Sequence, residues 1–261
     1  MTDRHMQVIA FANQKGGVGK TTTTVNSGVI LAREGIRTLL VDLDPQGNAT
    51  SSLGVNKQEL DRSTYDAVMS PGNTAVAILR NVRERLDLLP STPALAAAEV
   101  DLVHLAHRER QLKRALASVA DTYDLAIIDS PPSLGLLTVN GLTAANHVVV
   151  PIQCEFLALE GVSQLVTTID LVRRQLNPQL DLLGVLMTMY DARTNLSAMV
   201  VEEVRRFFPD RIFETVIPRS VRLAEAPSYG QAIAEYDPSS RGGVAYEAFT
   251  RELVERLGSL R

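Results

Sequence analysis

Short runs of apolar, mostly β-branched residues alternate with longer stretches of helical periodicity along this 261-residue chain. Residues 8–12, 38–41, 86–89, 125–128, 148–152 and 182–187 predict strands. They are almost uninterrupted in apolar residues, the pattern of strands covered on both faces. Between them, residues 22–34, 94–103, 108–119, 161–176 and 197–207 predict helices. Such alternation builds an α/β fold: a mostly parallel twisted sheet with helices on both faces and right-handed crossovers. The last stretch, 243–260, sets Phe249, Leu253, Leu257 and Leu260 on one helical face, opposite Arg251, Glu252, Glu255 and Arg256. This reads as a closing helix docked on the sheet, because a membrane-surface helix would carry a polar face dominated by Lys and Arg. No linker rich in Pro, Gly or Ser and no internal repeat divides the chain, so residues 1–261 are expected to form a single domain.

Composition narrows the class. With 45% hydrophobic and 21% charged residues, the chain is neither disordered nor collagen-like. Its 26 Lys and Arg against 30 acids, a net charge of -4, exclude a highly basic chromatin protein. Any nucleic-acid contact must come from a local patch. A single cysteine, Cys154, excludes a disulfide framework and a four-Cys cluster within one chain, and a packing role suits it. The N-terminal residues lack the pattern of a secretory signal, and no apolar run approaches the ~18 residues of a membrane span. The expected setting is cytosolic. Of the basic residues, 22 are Arg and only four are Lys: Lys15, Lys20, Lys57 and Lys113.

Two of those lysines bracket the most informative segment. The first strand runs into Asn13-Gln14-Lys15-Gly16-Gly17-Val18-Gly19-Lys20-Thr21-Thr22, and a helix follows. Glycines let backbone N–H groups cradle a polyphosphate, and the helix aims the positive end of its dipole at the same anion. Lys20 supplies a point charge to the β- and γ-phosphates, and the Thr21 hydroxyl completes a Mg²⁺ shell. The strict phosphate-loop pattern is not met, because Gln14 stands at its first glycine. The second strand ends in Asp42-Leu43-Asp44-Pro45, which sends two carboxylates out at the end of the sheet where open α/β folds bind ligands. Alternation along the strand places Asp42 and Asp44 on one side. A third element, the apolar run ending in Asp129-Ser130-Pro131-Pro132, has the form of a strand that presents an acid to Mg²⁺.

The segment Lys15-Gly16-Gly17-Val18-Gly19-Lys20-Thr21-Thr22 resembles the deviant Walker A motif of the ParA/MinD family of ATPases. Three further segments, 41–50, 187–194 and 217–228, resemble its chromosome-partitioning ParA (Soj) branch. The resemblance implies an ATP-dependent switch with ATP and Mg²⁺ as ligands. Lys15 would be the signature lysine, which reaches across a nucleotide-sandwich homodimer to the partner's phosphates. Lys15, Lys20 and Asp44 would be catalytic, with Asp44 positioning the attacking water. Thr21, Asp42 and Asp129 would serve the metal, and residues 130–137 would form a switch loop. Thr188, Met189, Pro218 and Arg219 would flank the adenine. The closed dimer would bind double-stranded DNA without sequence preference, placing it on the nucleoid, and a ParB (Spo0J)-like protein would speed hydrolysis. Arg193, Arg219 and Arg222 are the DNA candidates, with Arg205, Arg206 and Arg211 nearby. The same stretch holds Asp191, Glu202, Glu203, Asp210 and Glu214, the mixture of an ordinary solvated surface.

Two rival readings remain at this point. A MinD-like division-site regulator would associate with membrane, which the balanced final helix does not favour, so no stable membrane association is expected. A metabolic phosphate-loop enzyme, such as a ligase or small-molecule kinase, would need an acceptor substrate. His104 and His107, three apart on a predicted helix, have no third ligand in sequence and read as a solvated face.

Overall fold

The computed structural model describes residues 6–258 except 157, 160 and 161. Among these, eight strands form one sheet: β1 (Gln7–Phe11), β2 (Thr38–Asp42), β3 (Leu79–Arg83), β4 (Leu86–Leu89), β5 (Leu125–Asp129), β6 (His147–Gln153), β7 (Asp181–Tyr190) and β8 (Ile212–Pro218). Their spatial order is β3-β4-β2-β5-β1-β6-β7-β8, and every pair is parallel except the β3–β4 hairpin at one edge. The chain starts near the middle of the sheet, so β2 and β6 lie on opposite sides of the β1–β5 pair.

The predicted two-sided burial is present. In β1, Val8 and Ala10 join one apolar cluster while Ile9 and Phe11 join another. In β5, Ala126 and Ile128 divide from Leu125 and Ile127 in the same way. One face is covered partly by helix α1 (Lys20–Arg33) and by the closing helix Arg241–Leu257, where Phe249 packs edge-on against Phe11 and Phe213. The other face is covered by helices that include Leu136–Ala144 and Val162–Gln175. Leu260 and Gly161, which end and begin two predicted helices, lie outside the described residues.

Two predicted helices are broken. Residues 94–103 fall into a 3-10 turn, a short α-helix (Ala98–Asp101) and a second 3-10 turn, and 108–119 keeps α-helix only at Gln111–Ala117. His107 sits between them with left-handed backbone (φ 55°), so His104 and His107 share no helix face. The described residues hold no group of three metal-ligating side chains. Helix Leu136–Ala144 and the edge strands β3 and β8 have no counterpart in the predicted elements. Leu136–Ala144 is buried almost throughout and lacks an apolar stripe to recognise, whereas β3 is largely polar.

Candidate nucleotide-binding site

The loop between β1 and α1 is held from below. Asn13 donates to the Pro151 carbonyl at 2.7 Å and accepts the Lys15 N–H at 3.0 Å. Thr188, on β7, donates its hydroxyl to the Val18 carbonyl at 2.8 Å. Gly19 adopts left-handed backbone (φ 87°) that a side chain would strain, and its position lies against Thr188. Helix α1 then opens with no side-chain cap and no acid in its first turn. An α-helix start leaves backbone donors that need partners. Here they face a cleft of about 610 Å³ lined by Gly16, Gly17, Thr21, Asp44, Pro132 and Met189 among others. Among the described residues, none beyond the immediate chain neighbours has an atom within 4 Å of where a side chain would begin at Gly16 or Gly17. The geometry fits an anionic, phosphate-bearing ligand.

The three acids gather behind the loop, close enough that Asp42, Asp44 and Lys20 all act on Asp129. Asp42, Asp44, Asp129 and Lys20 are all buried. Thr21 donates its hydroxyl to Asp129 Oδ2 at 2.7 Å, and Thr24, which the sequence reading left aside, approaches Oδ1 at 3.4 Å. Burial and the neighbouring Asp42 charge push the Asp129 carboxyl well above the usual range, against the Thr21 hydrogen bond and Lys20. Asp42 is raised chiefly by burial, while Thr50 pulls it down by donating both its N–H, at 2.8 Å, and its hydroxyl, at 2.7 Å, to Oδ2. Burial lowers Lys20 against the attraction of Asp129 and Asp44. Buried acids this close oppose one another's ionisation, and a divalent cation would offset the charge they carry when ionised. The Ser130 hydroxyl, also buried, has no hydrogen-bond partner among the described residues. The residues fit a bound Mg²⁺, with Thr21 and Asp44 lining the cleft, Asp129 behind Thr21 as acceptor of its hydroxyl, and Asp42 engaged by Thr50.

Asp42 and Asp44 are not presented side by side along a strand. Asp42 ends β2, and Asp44 lies in the following loop, donating its N–H to Asp42 Oδ1 at 3.3 Å. The chain turns there, so strand alternation does not extend to Asp44. Its carboxylate accepts the Gln46 N–H at 2.9 Å, and its carbonyl accepts the Ser91 hydroxyl at 2.6 Å. Ser91, buried at the end of β4, is a support that sequence reasoning missed.

Lys15 and Lys20 are placed differently. Lys20 folds inward and donates to the Lys15 carbonyl at 3.2 Å. Lys15 is half exposed at the rim, with Glu155 as its carboxylate neighbour at 3.9 Å. Glu155 also pairs with Arg219 at 3.4 Å. Thr188 is buried under the loop, while Met189 lines the cleft with left-handed backbone (φ 53°). Pro218 pairs with Tyr190 across β7 and β8, and the Arg219 N–H donates to the Tyr190 carbonyl at 2.9 Å. Pro227 and Ser228 reach the same cleft from the segment after β8. Thr22 lines it as well.

The DNA candidates are exposed and paired with acids. Arg193 forks onto Asp191 at 2.7 and 2.9 Å, and Arg222 meets Glu225 at 3.0 Å and Asp237 at 3.5 Å. Arg205 and Arg211 face Glu214 and Asp181. Cys154 is buried, its thiol pushed up to about 12 by burial, as the packing role requires. A larger cleft, about 930 Å³, lies between Phe156 and helix Asn195–Phe207. It is mainly apolar and holds none of the phosphate-loop groups, so chemistry and not size locates the site.

A glycine loop that enters an uncapped helix beside buried strand-end acids, on a sheet of this order, defines a phosphate-loop nucleotide-binding protein. Residues 6–182 match the family described as AAA domain. The sporulation initiation inhibitor protein Soj of Bacillus subtilis is 53% identical over 248 residues, spanning 95% of this chain and 98% of Soj. The chromosome partitioning protein ParA of Myxococcus xanthus is 49% identical, over 96% of this chain and 88% of that protein. Among solved structures, cobyrinic acid a,c-diamide synthase from Mycobacterium smegmatis with bound ADP and magnesium superimposes with a TM-score of 0.86 at 42% identity, covering 98% of this chain and 97% of that one. The septum site-determining protein MinD of Pyrococcus horikoshii shares the fold, with a TM-score of 0.79 at 22% identity over 98% of this chain and 99% of that one. The chain belongs to the ParA/MinD family of deviant Walker A ATPases, in the branch of the chromosome-partitioning proteins Soj and ParA.

Proposed function

We propose that this chain works as a single-domain partition ATPase, an ATP-gated switch between a free state and a DNA-bound homodimer. The observation that carries the reading is the unlike placement of the two loop lysines. Lys20 is buried against its own loop, where its ammonium meets the phosphates of its own nucleotide. Lys15 stands at the rim, held by one partly exposed carboxylate, and is available to a second subunit placed face to face.

In this reading ATP binds through the glycines and the open helix start, with Met189, Pro218 and Arg219 near the adenine. Thr21 and Asp129 would hold Mg²⁺, which would supply charge neutralisation on the phosphates. Asp44 positions the water that attacks the terminal phosphoryl group. Lys15, Lys20 and the loop amides stabilise the charge of the transferring group. Arg193, Arg219 and Arg222 exchange their acid partners for DNA phosphates in the dimer, and a ParB-like protein accelerates hydrolysis. The protein is then cytoplasmic and nucleoid-associated. No helix among the described residues is long and apolar enough to cross a membrane.

The test is DNA retardation at several salt concentrations with ATP, with ADP and without nucleotide. Retardation only with ATP, weakening steeply with salt, is the expected outcome. Equal retardation in all three states overturns the reading. The Mycobacterium smegmatis likeness supplies a second reading, since that name denotes a synthase acting on a small molecule. Turnover that needs a small acceptor and ignores DNA would favour it, and ATP-dependent co-sedimentation with liposomes would favour a MinD-like role.

A further inference from the structure

We infer that Lys57 is a positioning residue for hydrolysis, acting on Asp44 through the backbone of Gln46. Two hydrogen bonds carry the connection. The Lys57 ammonium donates to the Gln46 carbonyl at 2.6 Å, and the Gln46 N–H donates to Asp44 Oδ1 at 2.9 Å. One residue therefore joins the lysine to the carboxylate through its own two backbone groups, and its orientation sets where that carboxylate points.

The surroundings make the contact specific. Among the described residues Lys57 has no carboxylate within ion-pair distance, so its donor is directed at a carbonyl. Its stem crosses the neighbouring Gly47, where a side chain would start 2.5 Å from Lys57 Cδ and 3.0 Å from the Ser91 carbonyl. Gly47 is also left-handed (φ 62°), and only glycine fits both demands without strain. Lys57 itself is fixed in a 3-10 turn (Lys57–Glu59) whose preceding residue, Asn56, accepts the Gln58 N–H at 3.1 Å.

The Asp44 loop is thus strapped at two carbonyls. Ser91, buried, holds that of Asp44, and its N–H reaches Thr50, which holds Asp42. Lys57, half buried on the solvent side, holds that of Gln46. The inner strap is tied into the core network, and the outer one is a single flexible side chain. Its loss leaves the loop attached but lets the Gln46 peptide, and with it the carboxylate, reorient. A small displacement of a group that places an attacking water slows the step it serves.

The inference rests on the proposed role of Asp44, and the experiment separates the two. Hydrolysis is measured with full-length protein, Mg²⁺-ATP and DNA for wild type, Lys57→Met, Asp44→Ala and the double variant. Lys57→Met should lower kcat roughly fivefold to tenfold, the upper part of the range that one ordinary solvent-accessible hydrogen bond supports. ATP affinity and thermal midpoint should stay near wild type. The double variant should be no slower than Asp44→Ala. Full kcat in Lys57→Met, or a parallel loss of ATP affinity and midpoint, overturns the positioning role, as does additional loss in the double variant. Full kcat in Asp44→Ala brings down the role of Asp44 itself, and the inference with it.

Discussion

The nucleotide end of the sheet and the arginine-bearing surface beyond β7 both set opposite charges beside one another, yet they do so in opposite physical regimes. At the first, Lys20, Asp42, Asp44 and Asp129 are buried, and each is held by neighbours that include Thr21, Thr50 and Gln46. At the second, Arg193, Arg219 and Arg222 are solvent-exposed, and each leans on a carboxylate that is itself partly exposed. A buried cluster loses heavily when one member is removed, because the others stay uncompensated in a medium that solvates them poorly. An exposed pair is worth ~1 kcal/mol or less and can be replaced by another anion. The difference suits the proposed labour: a fixed site for chemistry and a surface that trades carboxylates for phosphates.

That contrast can be broken most forcefully at Lys20. Lys20→Ala removes the one cation among three buried acids. Nucleotide affinity should fall by at least ~100-fold, the upper end of what one charged hydrogen bond supplies, because the buried acids are also left uncompensated, and titration calorimetry that finds wild-type affinity would contradict its place. Asp44→Ala should slow hydrolysis by ~100-fold or more, in the range of a positioned acid–base group. With ATP it should still elute as a DNA-holding dimer, whereas elution as a monomer argues against the role. On the exposed side, Arg222→Glu should weaken DNA binding several-fold and flatten the dependence of log affinity on log salt by ~1, leaving hydrolysis intact. Simultaneous loss of both activities would mean misfolding instead. Glu155→Gln, which frees Lys15 and Arg219, should shift the melting temperature by no more than ~4 °C. The smallest effect is expected at Cys154. Its thiol, pushed up to about 12 by burial, stays protonated at neutral pH and should resist alkylation until the chain unfolds.

The same division explains what could be read in advance. The glycine loop, Asp44 and Asp129 were legible as candidates because phosphate chemistry demands those residue types contiguously, at the ends of apolar runs. The supports were not. Ser91 meets Asp44 from 47 residues away, and Thr188 meets Val18 from 170. A lone Ser or Thr has no pattern until the sheet brings it into place. Lys57 was noticed only as a scarce residue type, since nothing local signals that its ammonium ends on the Gln46 carbonyl. Fold class followed from the uninterrupted apolar runs, whereas β3 failed that criterion by being largely polar and Leu136–Ala144 by lacking an apolar stripe.

The hydrogen bond from Thr188 to Val18 has one more consequence. Two residues further along β7, the Tyr190 carbonyl accepts the Arg219 N–H, and the strand then delivers the chain to Arg193. The same short strand thus touches both the glycine loop and the base of the arginine surface. In the proposed switch, a movement of the loop has only these few residues of paired strand to cross before it reaches the arginines.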